Sequence, residues 1–327
     1  MKKIMYLILL MILFLLTSCQ EETVQIPENT ENTMVVSHLK DNKLSFINEE
    51  THEVIHSLEL DFTVADMVRI NDSHISFTTK EEDDLYLLNL QTGKMKEWAS
   101  VGSGVNDLLY NPEVEQLYLS DSKNNQIQVF DTDKEKIIEK VSVGKFPLSI
   151  TADQKNEHLY VVNQQSSTVS VIDLNNFRVD EEFLVPHHPE GILVNDSKLY
   201  LGGHGPVHGE LNRHIYVLDA QSGEQLEQIE VGLMPVKLFS PEVSPDLYVV
   251  SHGSHEVYKV SLENDSTVEK LKVGANPYEV TGDKEKLYVS NIDGDSISVI
   301  DPESFQVTSE IPVKGGPVSI VRGGGKE

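Results

Sequence analysis

The sequence predicts an all-β fold, a seven-bladed β-propeller of four-stranded antiparallel blades closed by its own C-terminal strand. Three observations carry this expectation. One phrase recurs at a steady interval: QLYLSD at 116–121, HLYVVN at 158–163, KLYLGG at 198–203, DLYVVS at 246–251 and KLYVSN at 286–291. Further short apolar runs follow each phrase, separated by turn residues. The last run, PVSIV at 317–321, begins a unit that it does not complete.

The tyrosines set the period. Tyr118, Tyr160, Tyr200, Tyr248 and Tyr288 stand 42, 40, 48 and 40 residues apart. Going backwards, Ile75 in HISFTT and Val35 in MVVSHL are expected to hold the same place, which makes seven copies. Each phrase reads as the second strand of a blade. A third strand ends in Asp, as in VSVID at 169–173 and ISVID at 297–301, and that Asp caps the following turn with its side chain. A fourth strand such as LEQIEVG at 226–232 runs into a Gly…Pro bend, and a short run such as LSIT at 148–151 opens the next blade. Four short strands in forty-odd residues describe a propeller blade. The phrases are apolar at consecutive positions, as befits strands covered on both faces by neighbouring blades. The run at 317–321 should pair with the N-terminal strands and close the ring, removing exposed sheet edges.

Residues 34–321 are thus assigned to the propeller and 322–327 to a tail. Residues 1–18 read as an export signal, with Lys2 and Lys3 ahead of the apolar run Ile4–Leu16. That run is short for a membrane span. Leu16-Thr17-Ser18-Cys19 resembles the lipobox of bacterial lipoproteins, which implies that Cys19 is lipidated and that the protein is held outside the cell membrane. Cys19 is the single cysteine, so no intramolecular disulfide can form. Residues 19–33, rich in acid and amide, are expected to be the lipidated Cys and a flexible spacer.

The chain carries 26 Lys+Arg against 53 Asp+Glu. This balance argues against nucleic-acid binding, which needs clustered positive charge. It also leaves no polybasic attraction to anionic lipid, so the acyl chains must hold the protein at the membrane.

The pattern LYV-(S/V)-N, then VSVID, then V-G-x-x-P resembles the YVTN family of propeller repeats. The first two copies are degenerate, lacking the tyrosine and with Thr63-Val64 and Val105 where the bend proline should be, so six or eight blades are the alternatives to seven. The resemblance implies a secreted or surface-attached propeller, and some propellers with similar repeats carry enzymatic cofactors. The propeller lyases and lactonases are similar in architecture alone, and a fold does not fix a function.

No GxSxG elbow, Walker motif or haem-attachment motif is present. Histidine is the one departure from monotony. His187 and His188 lie in the bend entering blade 5, His204 and His208 in its second-to-third-strand loop, and His252 and His255 in the matching loop of blade 6. These bends and loops emerge on one face, so all six are expected in one sector of one rim. Imidazole suits zinc or copper, and Glu190, Glu210 and Glu256 could add an oxygen ligand or a general base. Asn291, Asp293 and Asp295 resemble part of a calcium loop but lack its remaining ligands, and read as a turn. Trp98 is expected to pack between blades.

The expectation is a lipid-anchored binding scaffold, without catalytic residues or cofactor, that displays variable loops to a protein, peptide or cell-wall ligand. The alternative is a metal-dependent lyase, lactonase or oxidoreductase, or a metal-handling protein, using a divalent metal at the histidine sector.

Overall fold

A computed structural model describes residues 22–323 apart from 154, 156, 207, 242 and 243. The export signal and Cys19 lie outside these residues. The chain forms seven antiparallel sheets, each built on four blade strands, which are consecutive in the chain in all but one. The seven-bladed reading is therefore met, including its phase. Blade 1 takes its inner strand, Pro317–Arg322, from the far end of the chain and pairs it with Thr33–His38. Arg322, assigned from sequence to the tail, is the last residue of that closing strand.

Among the described residues the apolar core is divided and not central. Seven apolar clusters lie between neighbouring blades, one at each seam. This is why the phrase is apolar on consecutive residues: one side chain meets the blade before and the next meets the blade after. The five repeat tyrosines are buried, from Tyr200 and Tyr288 at 0% exposed to Tyr160 at 3%. Blade 2 differs from the sequence alignment by one residue. Its second strand is His74–Thr79, and Ser76 faces Leu87 as Tyr118 faces Val129. The tyrosine place there belongs to Ser76, not Ile75. Ser76 is buried and donates to the Tyr86 carbonyl at 2.8 Å, while Phe62, Phe77 and Tyr86 stack to fill the seam. Trp98 packs edge-on against Phe130 across the seam between blades 2 and 3, as expected.

The bends repeat more strictly than the phrases. Inner strands begin at Val64, Val105, Pro147, Pro189, Pro235, Pro277 and Pro317. A proline is tolerated at the first residue of a strand because that N–H need not join the ladder. Before these prolines stand Phe146, His188, Met234, Asn276 and Gly316, all with positive φ. The carbonyl of the residue before each inner strand accepts an N–H from the residue just after the same blade's second strand. The donors are Leu39, Lys80, Ser122, Gln164, His204, His252 and Ile292, at 2.8–3.1 Å. Seven side chains are thereby fixed in equivalent places on one face of the ring.

Residues 20–32, expected as a free spacer, depart from that reading from Glu22 onward. Glu22–Thr23 adds a fifth strand to the outer edge of blade 2. Val24 and Ile26 then pack on the cluster between blades 1 and 2. The composition of the segment is polar, but these two apolar side chains find a seam left open at the ring's circumference.

Ring closure is tied by Arg322. Its guanidinium donates to Glu49 at 2.7 and 3.1 Å and to Asp283 at 2.6 Å, and lies 5.3 Å from the centre of the Tyr288 ring. Burial alone would raise the Asp283 carboxyl, but Arg322 and two backbone N–H groups hold it below its ordinary range. Breaking a buried pair leaves a charge without its partner and costs about 3 kcal/mol. Arg322→Ala should lower the denaturant midpoint accordingly; a midpoint equal to wild type would mean that strand pairing alone closes the ring.

Candidate functional site

The inner strands surround the ring axis, and their second and third residues face it. In chain order from blade 2, these pairs are Ala65-Asp66, Asn106-Asp107, Leu148-Ser149, Glu190-Gly191, Val236-Lys237, Tyr278-Glu279 and, in blade 1, Val318-Ser319. All of these but Gly191 line a cavity of about 250 Å³, together with Leu39, Lys80 and Ile292 from the bend-tied places above. All seven blades contribute. The cavity thus opens on the face of the bends and second-to-third-strand loops, and we call it the axial mouth.

Its charges are uneven: four carboxyl groups, Asp66, Asp107, Glu190 and Glu279, stand with two lysines, Lys80 and Lys237. Asp66 and Asp107 have structural work. Asp66 accepts from the Leu108 N–H at 2.9 Å and from the Ser319 hydroxyl at 3.0 Å, and Asp107 accepts from the Ile150 N–H at 2.8 Å. Each buckles its inner strand to that of the next blade. Glu279 is paired with Lys237 at 2.9 Å. Burial nevertheless raises all four carboxyl groups. Asp107 is pushed up to about 8, with Asp66 adding to the effect of burial. Glu190 is pushed up to about 7 by burial, against the pull of Lys237. Burial acts to lower Lys237, but Glu279, Asp107 and Asp66 outweigh it and hold the ammonium charged. Burial lowers Lys80.

Glu190 is the odd member. It is 7% exposed, and no backbone N–H donates to its carboxylate among the described residues. Its neighbour is His204, whose Nε2 lies 3.3 Å from Oε2. The His204 and His252 rings are 5.7 Å apart. They meet because they occupy the same bend-tied place in adjacent blades. Blades 5 and 6 also approach closely: a Cβ on Gly191 would lie 2.6 Å from the Val236 carbonyl oxygen, and one on Gly202 would lie 2.4 Å from that of Pro235. Both imidazoles are lowered first by burial, then by a neighbouring histidine: His252 for His204, His255 for His252. His204 Nε2 and His252 Nδ1 are enclosed without a hydrogen-bond partner.

The nine residues singled out from sequence therefore divide. Glu190, His204 and His252 come together at the mouth. His188 supplies the left-handed bend beside them, and its carbonyl takes the His204 N–H at 3.0 Å. His187 and Glu210 line a separate groove with Arg213 and His214, and His208 is exposed. His255 Nδ1 accepts the Asn276 N–H at 2.9 Å. Glu256 turns outward to the Tyr258 hydroxyl and Lys270. Among the described residues no three His, Cys, Asp or Glu side chains form a metal-ligand group. Asp293 pairs with Lys40, and Asp295 accepts from Gly315 and Gly316, which fits the turn reading. Sequence reasoning missed Asp66, Asp107, Lys237, Tyr278 and Glu279. Their signal was positional: each sits one or two residues after the first residue of an inner strand.

Comparison with known proteins adds the following. A family model described as "Lactonase, 7-bladed beta-propeller" matches residues 55–180, well under half of the chain. That stretch contains Asp66 and Asp107 and stops before Glu190, His204 and His252. No curated protein matches by sequence. Among solved structures, a functionally unknown protein from Desulfotomaculum acetoxidans is similar with TM-score 0.74 and 16% identity, over 89% of this chain and 99% of that one. The dihydro-heme d1 dehydrogenase NirN is similar with TM-score 0.68 and 11% identity, over 93% and 78%. Apo AztD from Citrobacter koseri is similar with TM-score 0.60 and 13% identity, over 90% and 99%. At these identities the likeness establishes the fold, a seven-bladed propeller, and nothing finer.

A carboxyl raised in the folded state stabilises below its unfolded value and loses that contribution as pH rises through the folded one. For Asp107 the window runs from the ordinary carboxylate range to about 8. Asp107→Asn should therefore gain stability relative to wild type between pH 5 and pH 8. Melting temperatures of both proteins across that range check this; a constant difference would place the Asp107 titration below pH 5.

Proposed function

We propose that the protein is a ligand-binding propeller, displayed outside the cell by a lipid on Cys19, whose axial mouth takes the positively charged end of a small organic molecule. The observation that carries this reading is Glu190: a nearly buried carboxyl, reached from the cavity, that among the described residues receives no backbone N–H and has beside it only the His204 imidazole, the nearby Lys237 being paired with Glu279. A buried carboxyl without a counter-charge holds its proton near neutrality. An ammonium or amidinium group would replace that proton and restore the pairing. Tyr278 lines the same cavity, and an aromatic ring there suits a cation. The walls are strands of a closed ring, so the groups are held in place before the ligand arrives.

This narrows the expected binding scaffold from its outer rim to its axis. It is preferred to the metal reading because Glu190, His204 and His252 form no metal-ligand group as they stand. A second reading, hydrolysis of a cyclic ester, is favoured by the family match over residues 55–180. In it Glu190, pushed up to about 7, takes the proton of the attacking water, and that proton passes to the alkoxide released as the ring opens. The matched stretch does not reach Glu190, so binding is preferred.

Titration calorimetry with 1,4-diaminobutane tests the proposal. The wild type should bind it roughly tenfold more weakly at pH 6 than at pH 8, because one proton leaves Glu190 on binding. Glu190→Gln should weaken binding at pH 8 by at least about tenfold, the worth of one charge-assisted contact. Absence of binding, or binding unchanged in Glu190→Gln, overturns the reading. Stoichiometric zinc lost in the double variant His204→Ala, His252→Ala would return the mouth to metal. Turnover of gluconolactone lost in Glu190→Gln would establish the hydrolase.

A further inference from the structure

We infer that the circumference of the ring at the seam between blades 1 and 2 faces the lipid bilayer, so that the propeller stands on that edge and its axial mouth opens sideways. The inference rests on the lipid anchor at Cys19 proposed above and adds an orientation to it.

The argument starts from reach. Glu22 is the first residue of the strand that joins blade 2, three residues after Cys19. Three residues span at most about 10 Å when fully extended. Glu22 faces Met95 on the fourth and outermost strand of blade 2, so the tether leaves from the circumference and not from either flat face.

The segment that follows is held along its length. The Val24 N–H donates to the Gly93 carbonyl at 2.8 Å, and the Thr30 hydroxyl to the Leu90 carbonyl at 3.0 Å. His56 Nε2 meets the Gln25 carbonyl at 2.9 Å from the blade 1 side. Val24 and Ile26 insert their side chains into the seam. A free spacer through residue 32 would let the ring tumble at the end of a long leash. A strap fixed from Glu22 does not.

The edge beside the strap carries two exposed apolar side chains amid the exposed carboxylates of Glu22, Glu53 and Glu59. Val54 and Ile55, consecutive residues on the outermost strand of blade 1, are 41% and 42% exposed, next to the His56 that holds the strap. The acyl chains supply the affinity, and these two side chains meet the headgroup boundary once the edge is brought down. The mouth then opens parallel to the membrane, accessible to a small diffusing ligand and poorly placed for a partner approaching from directly above.

The test uses the full-length acylated protein on phosphatidylcholine vesicles containing a nitroxide-labelled lipid. Ile55→Cys and, across the ring on the outermost strand of blade 5, Leu226→Cys each receive a fluorophore; Leu226 is 49% exposed. Fluorescence at position 55 should fall by half or more while that at 226 stays unchanged. Equal quenching at both positions, or at neither, overturns the orientation. Adding Val24→Asp and Ile26→Asp should keep the protein on the vesicles and abolish the contrast; a contrast that persists overturns the strap as its cause. Wild-type protein that does not sediment with vesicles, or a Cys19→Ala variant that still does, overturns the anchor itself.

Discussion

The constraint on which this molecule depends is closure of the ring. Each seam holds one apolar cluster, and the seventh exists only when blade 1 meets blade 7. There Met34, Val36 and Ile47 pack against Tyr288, Ile297, Val299 and Ile311. Blade 1 in turn is complete only when Pro317–Arg322 lies beside Thr33–His38. The two ends of the chain must therefore find one another before the last seam can form, a contact of very high sequence separation with a correspondingly large loop-closure cost. Arg322 gathers Glu49 from blade 1 and Asp283 from blade 7, and Arg69 of blade 2 donates to the Arg322 carbonyl. Three blades are joined at one residue.

Closure also creates the site. An open row of blades would have no axis. Once the ring shuts, the inner strands of blades 1 and 2, far apart in the chain, bring Ser319 to Asp66, as the neighbouring blades 6 and 7 bring Lys237 to Glu279. The bends convert this symmetry into address. The same backbone bond, repeated in seven blades, places one side chain per blade beside the mouth. Variation is free at those places because the bond uses only main-chain atoms. Histidine at two adjacent ones, with glycines that let blades 5 and 6 approach, gives that sector its distinct chemistry.

Much of the architecture was legible because packing between blades demands the same residues repeatedly. Tyrosine at a buried strand position and proline at an inner-strand start report local requirements that any blade must meet. Ser76 escaped because its seam is filled by a stack of three aromatic rings in place of a tyrosine, so the requirement was met by different residues. The strap escaped because two apolar residues in a polar run carry little signal, although two suffice when a seam is waiting for them. The mouth was half legible. His204 and His252 stand out by residue type, whereas Asp66, Asp107, Lys237 and Glu279 sit among apolar strand residues where no short motif marks them. Their meeting is a property of the closed ring, to which each blade contributes one residue.

The fold accounts for most of this buried charge, and the remainder is informative. Asp66 and Asp107 are acceptors for backbone N–H groups that would otherwise lack partners between blades, and Glu279 compensates Lys237. A hydrophobic replacement for any of them would strand a donor or a charge. Glu190 compensates nothing. Its burial costs stability whenever it is ionised, and the His204 imidazole and the Lys237 charge do not offset that cost in full. What a carboxylate supplies there and an amide does not is a charge that can be gained or lost at the wall of a cavity lined by all seven blades, and the proposed binding of a cation would use that difference.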